Sequence, residues 1–148
     1  MNTSELLSAL IIASERAGNI ARICRLDENL LSLLVQEKKD SEKNPSKTLS
    51  EALYSPVEVS SNIENDLPQL PNNLGVWIDP IDSTAEYIRG GLCMEQDFIL
   101  SGLPCVTVLL GVFDMDSGNP LIGVINQPFY KEESNGSVSQ SRISKYVV

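Results

Sequence analysis

The stretch that most constrains this chain is an octad, residues 77–84, with the sequence WIDPIDST. Apolar residues just before it predict a short buried strand. Pro80 has no N–H group for a sheet ladder, so we expect the strand to end at Asp79 and the chain to turn there. Such a turn would aim the carboxylates of Asp79 and Asp82 toward one point, with the carbonyl of Ile81 between them.

Oxygen ligands that converge at a turn are typical of a Mg²⁺ site, because Mg²⁺ prefers one or two carboxylates together with substrate phosphate. If Ser83 and Thr84 open a helix, the free N–H groups of its first turn can accept a phosphate at the same place. The octad therefore predicts half of a phosphoryl-transfer site. An ordinary Asp-Pro turn with a Ser/Thr cap would explain the Asp-Pro pair alone, but it accounts poorly for the whole octad.

The octad resembles the signature of the inositol monophosphatase superfamily, a D-P-[IL]-D-[GS]-T core preceded by a Trp and apolar residues. With Ser83 rather than Gly before Thr84, it is most similar to the inositol polyphosphate 1-phosphatase branch. Further segments resemble the opening helices of that branch and the strands after its motif: residues 14–22, 36–44, 111–114 and 121–128.

This resemblance implies an α/β fold, the layered α+β sandwich of the inositol monophosphatase and sugar phosphatase type, present here in incomplete form. It implies a Mg²⁺-dependent, lithium-sensitive phosphomonoesterase of phosphatidylinositol signalling in the cytoplasm. Its expected reaction is removal of the 1-phosphate from inositol polyphosphates such as inositol 1,4-bisphosphate.

The resemblance also assigns roles to the octad. Asp79 would bridge metal ions, the carbonyl of Ile81 would hold one of them, and Asp82 would hold another. The backbone N–H groups near Ser83 and Thr84 would bind the phosphate. The Thr84 hydroxyl would orient the nucleophilic water, which makes Thr84 the expected catalytic residue.

Some parts of the family pattern are missing. Full members carry a strand-associated Asp and a Glu-Glu loop before the motif, and a metal-binding Asp in a Trp-Asp segment after it. Neither of the first two lies between Lys39 and Leu74, and the chain stops at Val148 without the third. We therefore interpret 40–73 as irregular, with an internal deletion, and expect this shortened chain to be severely impaired. The alternative is a catalytically silent fragment that acts, if at all, as a binding or regulatory partner.

Periodicity outlines the elements around the octad. Asn2 and Glu5 form a capping-box pattern before a helix that runs to about Arg25. Asp27 can cap a second helix that ends near residues 38–39. Across the octad, we predict strand 74–79 and a helix over 83–89 that two glycines end. Strands 104–113 and 121–126 should join strand 74–79 in one antiparallel sheet, on which the N-terminal helices pack. Residues 131–148 are predicted to be a disordered tail, so the partial domain is 1–130.

Composition excludes several functional classes. The 148 residues carry a formal net charge of −9, which argues against nucleic acid and anionic membrane surfaces as partners. The chain has no histidine, so histidine-dependent zinc sites and nucleophilic pairs are ruled out. Its three cysteines lack metal-site spacing and suit a reducing cytosol. No apolar run is long enough to predict a membrane span, and the sequence leaves the oligomeric state open.

Overall fold

The structure is a computed structural model of the chain. It describes residues 2–27, 31, 54, 57, 67–96, 98–130, 132–134, 137–139 and 142–147. Of the predicted second helix, the described part shows only that the Leu31 N–H donates to the Asp27 carbonyl at 2.9 Å. The rest of that helix, and most of 40–73, lie outside the described residues. Residues 67–73 are irregular.

The first helix, α1, spans Thr3–Leu26, and its capping box confirms the prediction. The Glu5 N–H donates to Oδ1 of Asn2 at 2.8 Å, and the Asn2 N–H donates back to the Glu5 carboxylate at 2.9 Å. These reciprocal bonds satisfy two N–H groups that a helix start otherwise leaves unpaired.

Within the described residues, no helix has both the length and the apolar character that a membrane crossing needs.

Strands follow in the chain, with one short helix among them. Strand β1 is Leu74–Asp82 and helix α2 is Thr84–Arg89. The other strands are β2 (Leu92–Glu95), β3 (Phe98–Gly102), β4 (Thr107–Asp114), β5 (Pro120–Gln127), β6 (Glu132–Ser134), β7 (Ser137–Ser139) and β8 (Arg142–Val147). β1, β4, β5 and β8 form one antiparallel sheet in that order, while β2–β3 and β6–β7 are separate two-stranded pairs.

The core lies between α1 and the two central strands of the sheet. Alternate residues of β4 and β5 are buried there, as period-two strands with one covered face require. The core cluster consists of Leu7, Leu10, Ile11, Val108, Leu110, Val112, Ile122 and Val124. The architecture confirms the predicted fold class of helix packed on antiparallel sheet.

The opposite face of the sheet is open among the described residues, although strands this apolar predict cover on both faces. Trp77, on the edge strand β1, is 73% exposed. Its register partner is Gly111, which in turn pairs with Gly123. The two glycines leave a shallow apolar channel beside the indole.

Two predictions about the chain after the octad were wrong. The strand predicted for 104–113 begins at Thr107, because Pro104 lies in a 3₁₀ turn over Leu103–Cys105 and cannot donate to a ladder. The tail predicted as disordered contains β8, which pairs with β5 along its whole length. Its alternating pattern places Ile143 against the edge of the core.

Candidate active site at the end of β1

A β-bulge shapes the end of β1. Pairing with β4 is regular as far as Asp79, which lies opposite Leu109, and the next pair joins Asp82 to Thr107. β1 therefore advances three residues where β4 advances two, so it holds one extra residue at Pro80-Ile81. The prediction that the strand ends at Asp79 was wrong: Pro80 interrupts the ladder on an edge strand, where this is tolerated, and the strand continues to Asp82.

The bulge decides which way the two carboxylates face. In a regular strand, residues three apart point to opposite faces of the sheet. The extra residue reverses this alternation, so Asp79 and Asp82 share the face on which Leu109 and Thr107 lie. This is the open face of the sheet.

Asp79 is exposed at the rim of that face. Its Oδ1 accepts the Ile81 N–H at 3.2 Å, which holds the carboxylate over the bulge. Asp79 also lines a cavity of about 470 Å³ whose walls are mostly apolar, with Trp77, Leu109 and Ile125 among them. Asp82 does not line this cavity, so the predicted single concavity for both carboxylates stays a prediction.

Asp82 is half-buried, and a residue that sequence reasoning missed orients it. The Thr107 hydroxyl donates to Oδ2 of Asp82 at 3.1 Å. The Ser83 hydroxyl lies 3.4 Å from the same oxygen, which makes a weaker contact. Thr107 is the polar residue at the start of an apolar strand. Its hydrogen-bond partner, however, can be identified only from the register of β1 and β4 across the bulge.

Ser83 joins the strand to α2 through a left-handed backbone conformation, with φ at 61°. Glycine adopts this conformation without strain and other residues at some cost, which explains why a family signature can hold Gly or Ser here. The Ser83 carbonyl accepts the N–H groups of Glu86 and Tyr87 at 2.9 and 3.1 Å. The Thr84 hydroxyl donates to the Ile81 carbonyl at 2.9 Å, so this carbonyl shares its lone pairs between Thr84 and any metal.

Tyr87 fixes α2 against α1. Its ring is buried, its hydroxyl donates to the Ala21 carbonyl at 2.8 Å, and its ring packs 5.9 Å from that of Phe129. Burial, reinforced by Cys24, raises the pKa of Tyr87 to about 12, while Arg25 opposes the rise. The helix that follows Ser83 is thus anchored to the main helix of the fold.

The donor set at this turn fits Mg²⁺ in kind, because two carboxylates and a carbonyl are hard oxygen ligands. Among the residues that the structure describes, no group of three or more His, Cys, Asp or Glu side chains is placed to hold a metal ion. This part of the chain offers two acidic side chains, Asp79 and Asp82, as candidate ligands. The roles of Asp79, Ile81, Asp82, Ser83 and Thr84 in binding stay predictions.

The fold is an α-helix packed on an antiparallel sheet with this motif at a strand end, and sequence comparison identifies its family. The profile of the Inositol monophosphatase family matches residues 25–144. The chain therefore belongs to the inositol monophosphatase family.

Individual relatives agree. Human inositol polyphosphate 1-phosphatase is 31% identical over 211 residues, covering 89% of this chain and 53% of that protein. The bovine protein of the same name is 32% identical, covering 88% and 52%. Human 3'(2'),5'-bisphosphate nucleotidase 1 is 40% identical over 62 residues, 42% of this chain and 16% of that protein.

The chain spans about half the length of the inositol polyphosphate 1-phosphatases that it matches. The matched stretch of 211 residues is also longer than the chain itself, which has 148. The relatives therefore carry residues within the matched stretch that have no counterpart here.

Proposed function

We propose that this chain carries the metal- and phosphate-binding turn of a Mg²⁺-dependent phosphomonoesterase of phosphatidylinositol signalling, which acts in the cytosol. Its substrate class is the inositol polyphosphates, such as inositol 1,4-bisphosphate, from which the 1-phosphate is removed. The observation that carries the proposal is the bulge at Pro80, which turns Asp79 and Asp82 to one face of the sheet. Relatives named inositol polyphosphate 1-phosphatase support the choice of substrate.

In this proposal, the Asp79 carboxylate, the Ile81 carbonyl and the Asp82 carboxylate hold Mg²⁺. The chemistry that Mg²⁺ supplies in such sites is acidification of a water molecule and neutralisation of charge on the leaving oxygen. Thr107 keeps Asp82 in its ligating orientation through its hydrogen bond to Oδ2. The Ile81 N–H does the same for Asp79 by occupying Oδ1, which leaves Oδ2 for a ligand.

The start of α2 binds the phosphate in this proposal. The first N–H groups of a helix lack carbonyl partners within it and favour anions, so we assign them, near Ser83 and Thr84, to the phosphate oxygens. Because the Thr84 hydroxyl donates its hydrogen bond to the Ile81 carbonyl, its oxygen remains able to accept a hydrogen bond from the attacking water. This contact would orient that water.

We further propose that the isolated 148-residue chain is a poor catalyst, owing to an internal deletion in 40–73. It has the motif without the additional Asp and Glu residues that the family resemblance leads one to expect. Proton-transfer groups alone typically contribute 10²- to 10⁴-fold to a rate. Groups that act as one unit are strongly non-additive, so the loss of a single one can cause most of the decrease.

The test is phosphate release from inositol 1,4-bisphosphate with Mg²⁺, measured on this chain and on full-length human inositol polyphosphate 1-phosphatase. We expect turnover lower by about 10²-fold or more for this chain. Turnover equal to that of the full-length enzyme would refute the impairment, and Asp79→Asn with unchanged residual turnover would refute the site. Glu95→Gln, an exposed acidic change on β2, is the matched control. Sequencing the transcript for coding sequence between Lys43 and Leu49 tests the deletion.

One observation favours the second candidate function, a silent fragment that binds a partner. The sheet face around Trp77 is apolar and open among the described residues, and apolar patches of this kind mark interaction sites. Size-exclusion chromatography with light scattering, on a mixture of this chain and the full-length enzyme, would reveal a complex that Trp77→Ser disrupts. Separate elution of the two proteins at micromolar concentration would contradict this function.

A further inference from the structure

A second cavity, which we call the arginine cleft, lies away from the octad at the C-terminal end of α1. Its volume is about 610 Å³, within the range of small-molecule sites. Arg22 and Arg25 reach it from α1, and its apolar walls include Leu92, Ile99 and Phe129. None of residues 79–84 lines it.

The two guanidinium groups are incompletely compensated. Arg25 forms no ion pair with a carboxylate of the described residues, and its buried Nε has no hydrogen-bond acceptor among them. Arg22 donates to the Pro128 carbonyl at 2.8 Å and to Oδ1 of Asn19, and its nearest carboxylate oxygen among the described residues, on Glu15, is 3.9 Å away. Burial lowers the pKa of Arg22, and Glu15 counteracts this only in part. The charge of Arg25, which has no carboxylate partner among the described residues and lies beside apolar walls, is costly unless an anion neutralises it.

The apolar walls are themselves exposed. Leu92 is 59% exposed and Ile99 is 37% exposed, both on the β2–β3 hairpin. Leu26, which also lines the cleft, is 85% exposed. Apolar surface around a small number of convergent charged groups is the usual composition of a ligand site.

We propose that the arginine cleft binds a small anionic amphiphile, with a carboxylate or phosphate-ester group at Arg22 and Arg25 and an apolar chain against Leu92 and Ile99. The two guanidinium groups are neighbouring positive charges in a chain whose net charge is −9. Charge complementarity therefore selects an anion for this cleft. The planar guanidinium group matches carboxylate and phosphate oxygens in a bidentate manner.

Isothermal titration of the full chain with four probes tests the proposal: octanoate, octyl phosphate, octanol and inorganic phosphate. We expect octanoate and octyl phosphate to bind about tenfold or more tightly than the other two, since charge-assisted hydrogen bonds and apolar burial both contribute. Tighter binding of octyl phosphate would indicate a phosphorylated lipid as the natural source. Tighter binding of octanoate would indicate a free carboxylate.

Variants separate the charge from the walls. Arg25→Gln should remove the preference for octanoate over octanol, whereas Arg89→Gln, a matched change at an arginine outside the cleft, should preserve it. Gly91 lines the cleft, and a Cβ there meets nothing within 4 Å. Gly91→Leu should therefore abolish binding without unfolding the chain, which a circular dichroism spectrum checks.

Three results would overturn the proposal. Octanol binding as tightly as octanoate would eliminate the role of charge. An equal loss of octanoate binding in Arg25→Gln and Arg89→Gln would show a general charge effect. Unchanged octanoate binding in folded Gly91→Leu would place the amphiphile elsewhere on the molecule.

Discussion

Replacing Thr107 with valine tests how the fold orients Asp82. The Thr107 hydroxyl donates to Oδ2 of Asp82 at 3.1 Å, across the first register pair after the bulge. Valine is β-branched like threonine and favourable in a strand, so it removes the hydroxyl while keeping the backbone preference. We expect Asp82 to lose the donor that restricts its rotamer.

The magnitude follows from the chemistry and burial of the pair. A hydrogen bond to a charged group contributes about 1.5–3 kcal/mol. Both residues are only partly buried, so water can replace much of this, and about 1 kcal/mol remains. That corresponds to a roughly fivefold weaker Mg²⁺ affinity if the bond fixes the ligand. The free energy of unfolding should decrease by about 1 kcal/mol or less.

Isothermal titration with Mg²⁺ and urea unfolding measure the two effects. Thr107→Ser retains the hydroxyl and should recover most of the affinity. Thr3→Val is the matched control, because it removes a different threonine hydroxyl, which donates to the Pro68 carbonyl; it should lower stability and leave Mg²⁺ binding unchanged. Mg²⁺ affinity of Thr107→Val equal to that of the wild type, together with weaker binding by Asp82→Asn, would contradict this role of Thr107.

Three further predictions concern stability and can be checked by urea unfolding. Tyr87→Phe should cost about 1 kcal/mol by removing the hydrogen bond from the Tyr87 hydroxyl to the Ala21 carbonyl. Because burial raises the pKa of Tyr87 from 10.0 to about 12, its contribution is complete below pH 10 and disappears as pH rises toward 12, a loss that the variant lacks. Asn126→Leu should stabilise the chain by about 1 kcal/mol, because neither polar atom of this fully buried side chain has a partner in the described part of the chain; equal stability would indicate an ordered water there. Gly90→Ala should destabilise by about 1 kcal/mol or more, since φ is 70° and the Arg25 guanidinium occupies the space a Cβ needs.

The parts of the fold that sequence predicted are those encoded locally. The capping box of Asn2 and Glu5 and the apolar period after it predicted α1 to within about a residue of its end. Gly90 correctly marked the end of α2, where its positive φ closes the helix. The apolar runs predicted β4 and β5, because a buried central strand can be recognised from its own residues without knowledge of the strands it pairs with.

The parts that sequence missed depend on contacts distant in the chain. β8 has a weak strand pattern within a Ser- and Lys-rich tail, and it is stable only through pairing with β5 and the contact of Ile143 with the core. The hydrogen bond of Thr107 to Asp82 requires the register between β1 and β4, which no local pattern encodes. The β2–β3 hairpin was missed because its apolar residues are exposed. They do not form the alternation of buried and exposed residues that predicts a strand.

The bulge shows why the octad is informative and why its simplest interpretation was incomplete. Two carboxylates three residues apart suit a helix, where they share a face, or a tight turn, and they are unsuited to a regular strand. The structure keeps them in a strand and corrects their orientation with one extra residue. Pro80 permits this because it has no N–H group to donate to the ladder. A bulge at this residue therefore loses no N–H hydrogen bond. The bulge leaves Ile81 without a register partner in β4, and its carbonyl accepts the Thr84 hydroxyl. Spacing, proline and edge position together place the two carboxylates of a strand end on one face of the sheet.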